Sequence, residues 1–169
     1  MEQVRVGMVG LGTVGAGVAR LLTQHADRIA RRAGRRVELK WAVVRDLKKR
    51  RDADFEGVRV IDDVRRVIDD PEVQVVVELI GGVDAARRIV LDALAAGKHV
   101  VTANKALLAE HGPEVFAAAR AADRAVAFEA SVGGGIPILG AINVGLAANQ
   151  IQSLAAILNG TCNYILTQM

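Results

Sequence analysis

Gly10, Gly12 and Gly15 form the pattern G-x-G-x-x-G, and their neighbours decide what that pattern can do. An apolar run, residues 4–9, ends at Gly10. A helical apolar pattern opens at Val14. In a strand–turn–helix unit that binds a dinucleotide, each glycine has its own task. The first permits the tight turn, the second lets a pyrophosphate approach the backbone, and the third lets the helix close on the strand. The helix then aims free N–H groups and the positive end of its dipole at the phosphates. Leu11, Thr13 and Val14 complete the loop. A glycine-rich turn that binds nothing fits the bare pattern. Its place between a strand and a helix points to a nucleotide.

Three further positions could do chemistry beside that loop. The second strand, residues 37–44, ends in Val43-Val44-Arg45-Asp46. A site for NAD places an acid here for the ribose hydroxyls, and a site for NADP replaces it with a cation for the 2′-phosphate. Arg45 stands about where the acid would be, which favours NADP(H). Asp46, one step later, keeps NAD(H) open. The apolar strand 73–80 ends in Ile80-Gly81-Gly82, which lets a cofactor lie close to the backbone in the crevice where open α/β sheets bind ligands. Glu78 in that strand reads equally as a strand-end polar contact or as a catalytic group. Lys105 follows the strand 99–103, where an ammonium could polarise a carbonyl or carry a proton. Its residue type alone favours an ordinary surface lysine.

The elements that must position these residues alternate along the chain. The first helix is expected over residues 14–31, with Val14, Val18, Leu21, Leu22 and Ile29 facing inward. Trp41 is expected in or beside the sheet. A short strand at 58–61 and a short helix at 62–69 follow, the latter stopped by Pro71. Asp84 can cap a helix over 85–96, which ends at Gly97. Gly112-Pro113 is expected to separate Leu108 from a helix over 114–122, and 125–129 reads as a further strand. Alternating strands and helices with short loops define an α/β chain with a doubly wound parallel sheet.

Composition narrows the classes. The 169 residues are 51% hydrophobic but only 3% aromatic, so the core must be aliphatic, which suits a parallel sheet covered by helices. The net charge of +3 comes with arginine clusters at 28–36 and 45–51 that read as solvated loops, so no nucleic-acid partner is expected. Cys162 is the only cysteine, which excludes an intrachain disulfide, and its residue type predicts a small buried side chain. No apolar run approaches the ~20 residues that span a bilayer. A cytoplasmic protein without a membrane partner is the expectation.

Three stretches are more specific than the glycine pattern. Val100-Val-Thr-Ala-Asn-Lys-Ala-Leu-Leu-Ala109, Phe128-Glu-Ala-Ser-Val-Gly-Gly-Gly-Ile-Pro-Ile138 and Leu158-Asn-Gly-Thr-Cys-Asn-Tyr-Ile-Leu-Thr-Gln-Met169 resemble the homoserine dehydrogenase family, in its order and approximate spacing. The resemblance implies a Rossmann-like fold and NAD(P)-dependent interconversion of L-homoserine and L-aspartate 4-semialdehyde. It makes residues 10–15 the cofactor loop and Arg45 the residue that meets the ribose or its phosphate. It raises Lys105 to an active-site residue that assists proton transfer. It assigns Glu129, Val132, Gly134 and Ile136 to a monovalent-cation site, for sodium or potassium, built largely from main-chain carbonyls. A Gly133-Gly134-Gly135 run can fold back and turn several carbonyl oxygens to one centre. The resemblance also places Asn159, Gly160 and Thr161 at the floor of the substrate pocket, where a strand-to-helix cap is the plainer reading.

The same resemblance divides the chain into a nucleotide-binding domain, 1–135, and the start of an α+β catalytic domain, 136–169. In the family that domain continues, with substrate-binding acids and a second lysine. The chain therefore reads as a truncated form, inactive alone, of an enzyme expected to be a homo-oligomer. Another small-molecule dehydrogenase, or a non-catalytic NADP(H)-binding module, are the competing readings.

Overall fold

The computed structural model describes residues 3–49, 55, 57–156 and 160–169, with the side chains of 160–163 left aside. The first strand, β1 (Gln3–Val9), is followed by α1 (Thr13–Gln24), α2 (Ala26–Ala33) and β2 (Arg36–Val43). Then come β3 (Arg59–Ile61), α3 (Arg65–Ile68), β4 (Val73–Glu78), α4 (Asp84–Ala95) and β5 (His99–Thr102). The long helix α5 (Lys105–Ala121) leads to β6 (Val126–Ala127). A 3-10 turn (Glu129–Ser131), a single helical turn α6 (Ile138–Gly140), a π turn (Ala141–Gly145) and α7 (Gly160–Gln168) complete the order.

All strand pairs are parallel, in the order β3-β2-β1-β4-β5-β6. The direction of winding reverses between β1 and β4, so the crevice for a ligand opens at the carboxyl ends of those two strands. The expected doubly wound sheet is the one that forms. Its two faces carry separate aliphatic cores. One joins Val9, Val76, Val90, Leu94 and Leu107 under α4 and α5. The other joins Val6, Met8, Leu39, Ala42 and Val77 under α1. Both faces are buried because each parallel crossover lays a helix on one of them.

Three elements differ from the sequence expectation. The first helix breaks at His25, whose φ of −115° and ψ of 23° are not helical, and α2 turns back along β2. Its buried positions are Gly15 and Ala19, while Val14 is 60% and Leu21 56% exposed. Gly15 lets the helix start sit against the Gly10 carbonyl of the turn, and the larger Val14 and Leu21 lie on the outer side. Val18 and Leu22 pack inward as expected. Asp84 lies inside the first turn of α4, and no side chain caps that helix. As expected at Gly112-Pro113, α5 is two helical stretches joined at a kink: His111 (φ −127°, ψ 15°) is not helical, and the second stretch starts at Gly112. A proline in the first turn of a helix loses no internal hydrogen bond, so Pro113 suits the start of the second stretch. Finally, the strand expected over 125–129 stops at Ala127, and Glu129–Ser131 form a 3-10 turn instead.

Trp41 sits in β2 and is nearly buried, as its size demands. Its indole N–H donates to Asp70 Oδ2 at 2.7 Å, and Lys40 Nζ donates to the same oxygen at 2.6 Å. The Lys98 ammonium, buried beside them, donates to the Asp70 carbonyl at 2.6 Å. This knot ties β2, the entry to β4 and the entry to β5 together at the end of the sheet away from the crevice.

Candidate functional site: a crevice at the switch point

Gly10 leaves β1 with φ +107°, in the region that L side chains avoid, and its N–H donates to the Val43 carbonyl at 2.9 Å. A Cβ on Gly10 would lie 2.7 Å from the Leu79 carbonyl oxygen, and one on Gly15 only 2.1 Å from the Gly10 oxygen. Both positions therefore admit only glycine without moving backbone. Gly12 differs: a Cβ there would meet nothing within 4 Å. It is the N-cap residue of α1, no side chain caps that helix, and no acid stands in its first turn. Free helix N–H groups beside open space suit a phosphate. Thr13 and Val14 are exposed at this end, whereas the Leu11 side chain is buried in the core, so Leu11 offers a ligand its backbone alone.

The other wall is the turn after β4. Leu79 N–H donates to the Val9 carbonyl at 2.8 Å, which holds the two strand ends together. Gly81 and Gly82 follow with φ +70° and +73°, and neither would bring a Cβ within 4 Å of another atom. Ile80 is half exposed beside them. Arg45 is exposed just beyond β2. Asp46 Oδ1 accepts the Lys48 N–H at 2.8 Å, so the acid one step late is engaged in its own turn.

Lys105 is the first residue of α5, exposed, at the carboxyl end of β5. Asn104 sets it there: its Oδ1 accepts the Leu107 N–H at 3.1 Å as the helix cap, and its Nδ2 donates to the Gly82 carbonyl at 2.7 Å. Glu78, left open between two roles by the sequence, is fully buried beneath this turn. Thr102 donates to Glu78 Oε2 at 2.7 Å, and Ile80 N–H donates to Oε1 at 2.9 Å. Sequence reasoning passed over Thr102 and the capping role of Asn104. The available signal was a polar residue closing each of two otherwise apolar strands, VQVVVE and HVVT.

The proposed cation residues lie in one folded-back segment. Gly133 and Gly135 have φ +59° and +85°, and Ile136 N–H donates to the Gly133 carbonyl at 2.8 Å. The carbonyls of Glu129 and Ile136 each accept one backbone N–H, from Val132 and Ile138. Those of Val132 and Gly134 accept none among the described residues. Carbonyl oxygens with lone pairs to spare suit a hard monovalent ion. The Glu129 carboxylate is engaged elsewhere: its oxygens accept the Leu139 and Gly140 N–H groups at 2.9 and 2.8 Å and cap α6. Among the described residues, no three or more His, Cys, Asp or Glu side chains are grouped to hold a metal.

Asn159 lies outside the described residues. Gly160 and Thr161 open α7, away from the crevice in sequence, and their side chains are among those left aside, as is that of Cys162. Two grooves, of about 460 and 410 Å³, lie at the amino end of the sheet around Gln3, Thr23 and Arg36. Neither touches the glycine turn or Lys105. Among the described residues, no helix is long and apolar enough to cross a membrane.

A six-stranded parallel sheet with a three-glycine turn at its switch point defines a dinucleotide-binding α/β protein of Rossmann type. Residues 10–129 match the family model described as the NAD binding domain of homoserine dehydrogenase, and residues 137–169 match the homoserine dehydrogenase model. The chain belongs to the homoserine dehydrogenase family. It is 46% identical to the homoserine dehydrogenase of Bacillus subtilis (strain 168) and 50% identical to that of Pseudomonas aeruginosa, over its whole length. It superposes on the crystal structure of a homoserine dehydrogenase from Thiobacillus denitrificans with a TM-score of 0.92, at 51% identity and over 100% of this chain. The chain spans 39%, 38% and 39% of the lengths of these three relatives.

Proposed function

We propose that this chain supplies the cofactor-binding part of a homoserine dehydrogenase and that it prefers NADP(H), with NAD(H) the weaker ligand. Two observations carry the reading, one at Gly12 and one at Arg45. The uncapped start of α1 opens beside Gly12, and an exposed guanidinium, that of Arg45, stands just past the end of β2 where an NAD site carries an acid. The competing acid, Asp46, is held in its own turn. Residues 10–15 would bind the pyrophosphate, Arg45 the 2′-phosphate, and Ile80 and Gly81 the nicotinamide side.

A nicotinamide cofactor, when bound, would accept a hydride from C4 of homoserine or return one to C4 of the semialdehyde. The chain's own residues place it and handle a proton. Lys105, exposed at the carboxyl end of β5, would give or take the hydroxyl proton at the oxygen on C4. Glu129, Val132, Gly134 and Ile136 would hold sodium or potassium, and Asn159, Gly160 and Thr161 would floor the substrate pocket. We place the domain division near residue 135, between the two family-model matches. The whole enzyme is read as a cytoplasmic homo-oligomer acting on a small molecule, with neither nucleic acid nor membrane as partner.

In a whole enzyme carrying this chain, homoserine should reduce NADP+ faster than NAD+. Arg45→Ala should erase that preference with little change in the NAD+ rate. Equal use of both cofactors by the unsubstituted enzyme would refute the assignment of Arg45. Absence of any homoserine-dependent reduction would refute the activity.

A further inference from the structure

Among the described residues, Glu78 is the only buried carboxylate, and it is completely buried. A carboxylate is kept out of water only where its oxygens find donors. Here the hydrogen bonds close a ring. Ile80 N–H donates to Glu78 Oε1, and the Thr102 hydroxyl donates to Oε2. Asn104 N–H donates to Thr102 Oγ1 at 3.0 Å. Asn104 Nδ2 donates to the carbonyl of Gly82, two residues past Ile80. The ring encloses both the turn after β4 and the turn that starts α5. Strand register lines up Val9, Glu78 and Thr102 across the three central strands, directly under the crevice. Ser131 adds a strut by donating to the Thr102 carbonyl at 3.0 Å.

The polarity of the ring matters. A hydroxyl has one hydrogen, and Thr102 gives it to Glu78, so the lone pairs of Thr102 face the Asn104 N–H. Removing either acceptor or hydroxyl opens the ring between the two turns. Lys105 stands next to Asn104 in the chain, as the first residue of α5, and outside the ring.

Resting on the cofactor reading above, we propose that Glu78 is a positioning residue: through Thr102 and Asn104, its carboxylate holds the turn 80–82 and Lys105 at the spacing that the nicotinamide half of the cofactor requires. It touches neither cofactor nor substrate in this role. The adenosine half, held by the glycine turn and Arg45, is independent of the ring.

The test uses the purified 169-residue chain, titrated with NADPH and with adenosine 2′,5′-bisphosphate, which carries the adenosine half alone. Amide NMR signals and dissociation constants are followed in the unsubstituted chain and in E78Q, T102V and T102S. In the unsubstituted chain, NADPH should shift the signals of Gly12 and Gly15 and also those of Gly81, Gly82 and Lys105. In E78Q and T102V, bisphosphate affinity should stay within about twofold, while NADPH should bind about fivefold or more weakly and lose its effect at Gly81, Gly82 and Lys105. T102S keeps the hydroxyl and should restore the full response. If E78Q does not fold, T102V, which retains the carboxylate, decides alone. Equal weakening of both ligands would make the ring a general support and overturn the proposal, as would unchanged NADPH binding. A failure of the unsubstituted chain to bind NADPH would overturn the cofactor reading itself, and the role of Glu78 with it.

Discussion

A methyl group added at Gly15 and one added at Gly12, three residues apart, have opposite consequences. At Gly15 the new carbon would sit 2.1 Å from the Gly10 carbonyl oxygen, so strand, turn and helix must all shift. Gly15→Ala should cost about 1–3 kcal/mol or more, as forced overpacking does. Thermal unfolding should show it as a clear loss of Tm. At Gly12 the same carbon meets nothing. Gly12→Ala should change stability by less than about 0.5 kcal/mol, yet weaken the dinucleotide by about tenfold, or about 1.4 kcal/mol. Calorimetry and titration on the same samples separate the two effects, and a Tm loss at Gly12 equal to that at Gly15 would contradict the open cradle. At Lys105, general acid–base work is worth typically 10²–10⁴-fold. Lys105→Ala in a whole enzyme carrying the chain should therefore lower kcat by about 10² or more while the cofactor Kd moves little. Unchanged kcat would remove Lys105 from the chemistry. These roles differ in how far the sequence reveals them. The glycine spacing announces the turn. The closure of the ring through Glu78 and Thr102 depends on strand register, which brings residues 24 positions apart side by side.

At the scale of elements, the knot at Asp70 holds β2, β4 and β5 together at the base of the sheet. Burial pushes its carboxyl upward, but hydrogen bonds from Lys40, Trp41 and the Glu72 backbone outweigh that and bring it from 3.8 down to about 2. A depressed acid stabilises the fold above its unfolded value and loses that contribution as pH falls through its folded value. Stability from Asp70, on the order of 2 kcal/mol, should be complete above about pH 4 and gone below about pH 2. Urea unfolding of the unsubstituted chain and of Asp70→Asn should therefore differ at neutral pH and converge toward pH 2. Parallel curves at all pH values would mean that the charge on Asp70 contributes nothing. The strands around this knot were legible as apolar runs punctuated by turns. The helices were less so. The break at His25 has no glycine or proline to mark it, whereas Gly112-Pro113 marks the kink in α5 at His111. Helix faces set by close packing of Gly15 and Ala19 are invisible to a rule that looks for large apolar residues.

For the whole molecule, order and burial are uneven along the chain. β1, β4 and α4 carry fully buried residues, whereas no residue of α6 or the π turn is buried, and Val144, Leu154, Tyr164 and Leu166 are between 63% and 79% exposed. Backbone amides of 138–145 should exchange with solvent far faster than those of β1 and β4, because local opening is governed by buried contacts. Mass-spectrometric exchange would show it, and equal protection would contradict the division near residue 135. The cofactor half of the site was legible because its chemistry is local: a turn, a helix start and a strand end. The cation reading of the segment after residue 128 rests on resemblance alone, since main-chain carbonyls leave no mark on residue type. The central claim is that the crevice between β1 and β4 binds a nicotinamide dinucleotide through its 2′-phosphorylated adenosine half. Fluorescence titration of the purified chain with NADPH, and separately with NADH, tests it most directly. Saturable binding, at least about tenfold tighter for NADPH and reduced to the NADH level by Arg45→Ala, is the predicted result. No binding, or NADPH binding indifferent to Arg45, would contradict it.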